Sequence, residues 1–339
     1  MKLYGGIDLH STNSVVVVLD EQDRVLLERR VTNDLQRVKD LLAPFREALC
    51  GVVVESTYNW YWLVDGLMAA GYRVRLANTA AIKQYEGLKY SDDAHDARWL
   101  AHLLRLSILP TGYIYPKGAR AVRDLARRRM RLVQQRSLNL LAVQTTLERE
   151  LGRRVSANAI KRTGSEVALL HGVEEPNVGS SLTANLAVMR CLDAQIERLE
   201  REIVSQVKLA AQFEPLKSVA GVGQILALTI MLETGEIGRF AKVGNFASYA
   251  RCVQAKRISN GKKKGEGNAK CGNAYLAWAF VEAAHFAVRY YPKVNRFYER
   301  KRAKSNAIVA IKACAHKLAR AAYHVMRTQQ PFDIDRAFA

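Results

Sequence analysis

The chain has 339 residues, of which 49% are hydrophobic, so it is long enough for two or three domains with buried cores. Its 52 Lys and Arg exceed its 32 Asp and Glu, and the net charge of +20 indicates a polyanionic partner such as DNA or RNA. An anionic membrane surface or a ribosome-associated role would also suit this charge. No apolar run approaches the length that spans a bilayer and no signal region is visible, so we predict a cytoplasmic protein without a membrane segment.

The cysteines are too scattered to form a zinc ribbon or finger. They are Cys50, Cys191, Cys252, Cys271 and Cys314, and no two of them stand at metal-ligand spacing. An odd, dispersed set in a chain of this length is typical of a reducing compartment.

Residues 1–112 alternate between strand and helix patterns. Apolar strand patterns occur in LYGGID, SVVVVLD, VLLERRV, CGVVVE and YRVRLAN, and helical spacing occurs in Asn33–Arg46, YNWYWLVDGLMAAG and Asp92–Leu106. The polar EQDR turn joins the second and third strands as a hairpin. This order predicts a mixed sheet with helices packed on it, that is, an α/β domain.

Residues 113–212 contain no convincing strand pattern. A basic helix is predicted over Ala119–Glu150, and a second helix over Leu182–Leu209 carries apolar residues at steps of three and four. The second pattern is that of a coiled coil, about three heptads long. It fits equally well with two helices that pack within one chain, and the sequence leaves both readings open.

Residues 213–339 read as a second globular unit, mainly helical. It begins with LKSVAGVGQILALTIM, where Gly221 and Gly223 enclose a turn that resembles a helix–hairpin–helix and would contact phosphate. A plain helix–helix turn explains these glycines equally well. The polar stretch RISNGKKKGEGNAKCGN follows, and a basic helix is predicted over Ser305–Arg327.

Four acids stand where a metal site would need them. Asp8 and Glu55 each end an apolar strand, while Asp93 and Asp96 lie one helical turn apart at the start of a helix. Such carboxylates would repel one another unless a divalent cation joined them, and oxygen ligands suit Mg²⁺ or Mn²⁺. Two such ions would support in-line phosphoryl transfer.

Other interpretations of these acids have to be weighed. Asp92, Asp93 and Asp96 could simply cap a helix, with Ser91 as the N-cap. The run Gly-Ile-Asp-Leu-His-Ser-Thr also resembles the first phosphate loop of sugar kinases, but no second phosphate loop follows. Neither His10 nor His95 is expected to be a ligand, because oxygen ligands suffice. An acid after strand one, an acid after strand four and two acids on a later helix form the layout of RNase H/RuvC-type nucleases.

The sequence resembles the IS110 family of insertion-sequence transposases. The resemblance is carried by GID at residues 6–8, VVVEST at 52–57, GLKYSDDAHDARWLA at 87–101, LKSVAGVGQILALTIMLETGEIGRF at 216–240 and RCVQAKRISNGKKKGEGNAKCGNAYL at 251–276. These blocks cover almost the whole chain in the right order. Departures from the family pattern include Asn59, Ala220, Cys252, Asn260 and Lys270-Cys271-Gly272.

The resemblance implies a fold, a chemistry and a set of partners. It implies an RNase H/RuvC-like nuclease domain over 1–112 with the metal-binding tetrad Asp8, Glu55, Asp93 and Asp96, a helical coiled-coil linker over 113–212, and a mainly α transposase domain over 213–339. It also implies Ser259 as a nucleophile that becomes joined to a DNA phosphate, a structured guide RNA that pairs with donor and target DNA, and assembly as dimers or tetramers.

Several cationic residues are predicted to contact nucleic acid. They are Arg127, Arg128 and Arg129 on the basic helix and Lys262, Lys263 and Lys264 beside Ser259. A structure-specific, junction-resolving nuclease that uses the tetrad without Ser259 is the alternative function. A non-enzymatic basic protein that binds RNA or DNA is the third.

Overall fold

A computed structural model gives the structure of the chain and describes residues 1–82, 92–162, 166–207, 210–254, 257–265 and 271–338. The residues form two compact units, Met1–Lys117 and Gly118–Ala339. The boundaries predicted from the sequence, with a separate segment over 113–212, stay a prediction. Within the described ranges, every helix is too short or too polar to cross a lipid bilayer.

The first unit combines a six-stranded sheet with short helices. The described elements are β1 (Leu3–Leu9), β2 (Asn13–Leu19), β3 (Val25–Thr32), α1 (Leu35–Leu42), β4 (Leu49–Glu55), α2 (Tyr61–Ala69), β5 (Val74–Ala77), α3 (Asp93–Arg105) and β6 (Thr111–Gly112). All the strands and helices predicted for this region are present. The two-residue β6 was not predicted, because so short a segment carries no alternation.

The sheet is mixed and runs in the order β3-β2-β1-β4-β5-β6. β2 pairs antiparallel with both β1 and β3, whereas β1 and β4 are parallel, as are β4 and β5. The central pair therefore ends at one edge of the sheet. This arrangement confirms the predicted mixed α/β region.

Both faces of the sheet are covered, which explains its continuous apolar strands. On one face, Ile7, Val16 and Val54 pack against α1 and α2. On the other face, Val15 and Val17 pack against Ala97 and Ala101 of α3. Side chains alternate along a strand, so Gly6 and Asp8 of β1 share the face that α3 covers.

Gly6 allows α3 to approach the sheet closely. A Cβ atom at this position would overlap the carbonyl oxygen of Ala97 and would lie 2.9 Å from the Ala101 nitrogen. Only a residue without a side chain leaves room for the helix backbone over β1. The first turn of α3, with Asp93 and Asp96, is held near the end of β1 as a result.

The second unit is largely helical. Its described elements are α4 (Lys117–Leu151), α5 (Ala157–Arg162), α6 (Glu166–Leu170), α7 (Pro176–Val207), α8 (Phe213–Lys217), α9 (Gln224–Thr234), α10 (Val243–Tyr249), β7 (Arg257–Ser259), β8 (Lys262–Gly265), α11 (Ala274–Tyr290), α12 (Pro292–Lys304), α13 (Ala307–Thr328) and α14 (Ile334–Phe338). The predicted long helices and the helical C-terminal half are confirmed.

The coiled-coil pattern of α7 is used within the chain. Two clusters bury the predicted stripe: Leu182, Leu186 and Met189 pack with Leu140, Val143 and Leu147 of α4, and Ile196, Leu199 and Ile203 lie in the same core as Leu132. Arg136 pairs with Asp193 at 2.5 Å, and Arg129 pairs with Glu200 at 2.5 Å. As the residue number rises on α4, it falls on α7, so the two helices run antiparallel. The structure thus favours the intramolecular reading, and this stripe gives no support for oligomerisation.

Residues 257–265 form a β-hairpin in a region that the sequence analysis describes only as a polar interruption with a turn. β7 and β8 pair antiparallel, with Ser259 opposite Lys262. Asn260 and Gly261 make the connection with φ angles of 50° and 69°. Positive φ at both central positions is the geometry of the type I′ turn, for which Asn-Gly is the preferred sequence.

We expect Gly6→Ala to destabilise the first unit, because the new methyl group forces α3 away from β1. The loss should be about 1–3 kcal/mol, as for other overpacked sites, and it is measured from urea unfolding curves. Gly112→Ala is the matched control, since its Cβ atom meets Leu76 at an ordinary 3.5 Å. Equal stability of both variants would contradict the close helix–sheet contact.

Candidate metal centre and nucleic-acid contacts

Asp8 and Glu55 meet at one edge of the sheet. Ile7 pairs with Val54 in the parallel β1–β4 ladder, so the following residues, Asp8 and Glu55, are neighbours. Asp8 is buried, with 2% of its surface exposed, and Glu55 is partly buried. The parallel pairing therefore brings together two acids that lie 47 positions apart in the sequence.

The first turn of α3 supplies the other two acids. Asp92 is the N-cap, and its side chain accepts a hydrogen bond from the His95 backbone nitrogen at 2.8 Å. The cap is therefore Asp92 and not Ser91, which lies outside the described residues. Asp93 and Asp96 follow in the helix and are both partly buried. Asp92 therefore caps the helix, and the assignment of Asp93 and Asp96 to a metal-binding tetrad stays a prediction.

The surroundings of Glu55 in this cluster disfavour its charged form. Burial, a hydrogen bond with the Asp8 carboxyl group and the negative charges of Asp8 and Asp96 together raise the pKa of Glu55 from 4.5 to about 8. The protonated Glu55 carboxyl can donate to the Asp8 carboxylate. The carboxylates thus share a site in which negative charge is incompletely compensated.

His10 lies in this cluster as well, and its exclusion from the metal ligands stays a prediction. Its Nε2 atom lies 3.1 Å from Asp8 Oδ2 and 3.2 Å from Asp93 Oδ2. One ligand atom from each of Asp8, His10 and Asp93 lies within 4.8 Å of the others, as metal ligands would. The signal was present in the sequence, because His10 follows Asp8 by two residues at the end of the same strand.

Asp93 also has a basic partner that the sequence did not predict. Arg30 on β3 donates to Asp93 Oδ2 at 2.5 Å. This hydrogen bond, with the nearby charges of His10 and Arg30, lowers the pKa of the Asp93 carboxyl group. The pKa values of Asp93 and Glu55 are therefore shifted in opposite directions, downward for Asp93 and upward for Glu55.

Asparagine side chains fix the backbone around His10. Asn33 and Asn59 donate to the His10 carbonyl oxygen at 2.9 and 3.0 Å, and Ser14 donates to Asn33 at 2.7 Å. Asn59 is one of the departures from the family pattern, and here it links the segment after β4 to the end of β1. These bonds hold the His10 ring beside Asp8.

A cleft of about 300 Å³ opens beside two of the acids. It is lined by Glu55, Thr79, Ile82, Asp96, Trp99 and Leu100. Glu55 and Asp96 form one group of acids beside this cleft, and Asp8, His10 and Asp93 form a second group. The hydrogen bond between Glu55 and Asp8 connects the two groups. The described residues that could hold a metal ion are therefore the predicted tetrad together with His10.

Ser259 is exposed at the end of β7, directly before the type I′ turn. Lys262 and Lys264 of β8 are exposed as well, and Lys263 lies between them in the same strand. The hairpin belongs to the second unit and the carboxylates to the first. The predicted serine is thus accessible, next to cationic side chains.

The three predicted arginines of α4 differ in their surroundings. Arg127 forms two hydrogen bonds, of 2.6 and 2.7 Å, with Glu233, which is only 2% exposed. Glu233 also accepts from Asn273 at 2.7 Å. Arg129 pairs with Glu200, whereas Arg128 is exposed. Arg128 is therefore the member of the set best placed to contact phosphate.

The two glycines of the predicted hairpin turn also differ. A Cβ atom at Gly221 would overlap the Ala283 carbonyl oxygen of α11, and the φ angle of Gly221 is +77°. Gly223 is the N-cap of α9 and has open space around it. Gly221 therefore serves helix packing, and Gly223 is the glycine that a ligand could approach. A cleft beside Gln224 is lined by two acids, Glu197 and Glu200, and by Arg201.

The folding stability of the metal-free protein should depend on pH because the pKa of Glu55 is raised. Because the pKa is raised from 4.5 to about 8 in the folded state, the stability from this group is fully present below 4.5 and is lost as the pH rises through about 8. We expect the melting temperature of Glu55→Gln, relative to wild type in EDTA, to increase over this range and then level off. The exposed Glu47→Gln serves as control, and a constant difference for Glu55→Gln would contradict the shared-charge geometry.

Arg127→Ala should reduce folding stability by a few kcal/mol, because it leaves the Glu233 carboxylate buried without its cation. Arg128→Ala, one residue away and exposed, should leave stability within about 0.5 kcal/mol and weaken nucleic-acid binding instead. Denaturant unfolding and filter binding separate the two effects. Loss of stability in Arg128→Ala alone would contradict this assignment.

Two family models match separate parts of the chain. Residues 5–150 match a transposase family model, the DEDD transposase domain of IS110, and residues 214–299 match the transposase family IS116/IS110/IS902. The first match contains the carboxylates, and the second contains the Ser259 hairpin.

Similar proteins are transposases by description. A Pseudomonas aeruginosa protein described as a family 20 transposase is 27% identical over 84% of this chain and 83% of its own length. The mini-circle transposase for IS117 of Streptomyces coelicolor is 26% identical over 100% of this chain and 97% of its own, and the transposase for insertion sequence element IS1111A of Coxiella burnetii is 22% identical over 84% and 78%. Two separate regions of the chain therefore match transposase family models, and the chain is similar over most of its length to proteins described as transposases.

Proposed function

We propose that this chain cuts and rejoins insertion-sequence DNA by metal-assisted phosphoryl transfer with Ser259 as nucleophile. The observation that carries the proposal is the meeting of Asp8, Glu55, Asp93 and Asp96 at one sheet edge of a transposase domain. The order of the acids along a sheet with β1 and β4 parallel at its centre supports an RNase H/RuvC-like fold for this unit.

The donor set fits a divalent cation. Asp93 has Arg30 as a cationic partner, whereas burial, together with the neighbouring acids Asp8 and Asp96, raises the pKa of Glu55. A cation would offset this negative charge and displace the proton. Carboxylate oxygens favour Mg²⁺ or Mn²⁺, held by the tetrad, and His10 provides an additional nitrogen donor. When bound, the metal would stabilise the charge that develops on the phosphate oxygens.

Ser259 supports the proposal by its accessibility. Its Oγ atom would form a bond to the phosphorus of the scissile phosphodiester, while the bond from phosphorus to one strand oxygen breaks and that strand leaves as a free hydroxyl carrying the proton. A hydroxyl of the other DNA would then attack the phosphoserine, which restores Ser259 and makes the new phosphodiester. Lys262 and Lys264 would hold the phosphate through charge.

Guide RNA and oligomer formation complete the proposal. The net charge of +20 supports binding to more than one nucleic acid strand. Base pairing by an RNA from the same element would choose donor and target DNA, so the protein would need few base-specific contacts. Dimers or tetramers would bring the DNA ends together.

A junction-resolving nuclease that uses the tetrad alone is less well supported. The similar proteins are described as transposases, and the second family match covers a domain that such a nuclease would not need. The two functions differ in the attacking group, which is water in the nuclease and Ser259 here.

The proposed chemistry predicts a covalent intermediate. Wild-type protein incubated with end-labelled element DNA and Mg²⁺ should give a protein–DNA adduct on a denaturing gel, and peptide mass spectrometry should locate the phosphate on Ser259. Ser259→Ala should bind DNA normally but form no adduct, because it lacks the hydroxyl nucleophile. Asp96→Asn should lose the adduct through loss of metal.

Ser180→Ala on the exposed face of α7 is the matched control and should behave as wild type. The proposal is wrong if Ser259→Ala releases cut DNA as fast as wild type. Water would then be the nucleophile, and the junction-resolving nuclease would replace the transposase chemistry.

A further inference from the structure

Exposed aromatic rings are concentrated on one helix. Among the described residues, the exposed aromatics of the second unit are Trp278, Phe286, Tyr290 and Tyr291, with Tyr290 at 62% exposure. Three of them belong to α11, and Tyr291 follows directly after it. The four-residue spacing puts Phe286 and Tyr290 on one side of the helix, and Trp278 lies more than two turns before them. Large exposed apolar groups that cluster in this way mark a binding surface.

The geometry of the rings suits the flat faces of bases. The ring planes of Phe286 and Tyr290 differ by only 11°, and their centroids lie 6.5 Å apart. That separation is close to twice the roughly 3.4 Å rise between stacked bases. The Arg289 guanidinium carbon lies 5.3 Å from the Tyr290 ring centroid, so a planar cation borders the same surface.

The surrounding charge favours a polyanion. α12 begins two residues after α11 ends, packs against it and carries six Lys or Arg against one Glu. Arg296, Arg300 and Lys301 of this helix are exposed. A protein interface of the same aromatic residues would need an acidic partner, whereas a nucleic acid supplies both the bases and the negative charge.

We propose that Phe286, Arg289 and Tyr290 form a stacking site for unpaired bases of RNA or DNA, with α12 contacting the phosphates beside it. The inference rests on the proposed nucleic-acid function but not on its serine chemistry. Stacking of bases on aromatic rings is sequence-tolerant and contributes about 1–3 kcal/mol per base, that is, about 5- to 150-fold in affinity. Such a site would prefer unpaired strands, because duplex bases offer no free faces.

The test uses full-length protein and a fluorescein-labelled oligonucleotide, offered single-stranded as RNA and as DNA and also as a duplex. The double variant Phe286→Leu/Tyr290→Leu keeps the apolar surface but removes both rings. We expect it to bind the single strands about tenfold or more weakly, with unchanged duplex affinity and an unchanged salt dependence. A 2-aminopurine base in the strand should be quenched by wild type and not by the double variant.

The conservative Tyr290→Phe should retain both affinity and quenching, and Leu138→Ala on the exposed part of α4 is the control for loss of an apolar side chain elsewhere. Equal single-strand affinity and equal quenching in wild type and the double variant would overturn the inference. So would a change in sedimentation coefficient without a change in strand affinity, because it would assign the rings to a protein interface. If wild type shows quenching that depends on these rings but forms no Ser259 adduct with DNA, the stacking site stands and only the proposed serine chemistry is refuted.

Discussion

The acidic centre depends on how closely one helix can approach one strand. Gly6 leaves the backbone of α3 in contact with β1, so the first turn of that helix lies at the strand end where Asp8 and Glu55 meet. Any side chain at this position would lift the helix and separate the two pairs of acids. The same device occurs in the second unit, where Gly221 faces the backbone of α11 between Ala283 and Ala287. In both cases a glycine opposes two alanines spaced by one helical turn.

Once Gly6 allows α3 to approach the sheet, charged contacts hold the helix in place. The β2–β3 hairpin supplies three anchor points along the helix: Arg30 pairs with Asp93, Glu28 with Arg98, and Asp23 with both His102 and Arg105. Such partly exposed pairs each contribute little to stability, but together they set the helix in register with the hairpin. The candidate metal ligands on α3 are thus oriented by residues outside the acidic cluster as well as by those within it.

Much of the first unit could be predicted because its sequence is locally consistent. Continuous apolar segments that end in Asp8 and Glu55 predict both the strands of the sheet and the acids at its edge. The position of His10 two residues after Asp8 is visible in the sequence, but the asparagines from two other segments that hold its backbone could not be predicted. In the second unit, the partners of Arg127 and Arg129 were also beyond prediction, since a run of arginines has the same sequence whether it faces solvent or buried carboxylates. The apolar stripe of α7 is visible in the sequence, but only the structure shows that side chains of α4 pack against it.

The two-residue turn after Ser259 has a consequence for how this region can vary. Side chains alternate between the faces of a strand, so adding or removing one residue in β7 would move the serine to the opposite face of the hairpin. Asn260 and Gly261 together close the loop with the shortest common connection and leave no slack to absorb such a shift. Substitutions in the strands that flank this turn are therefore better tolerated than changes of length. An insertion or deletion there would change the direction in which Ser259 points, but it would leave the serine hydroxyl itself in place.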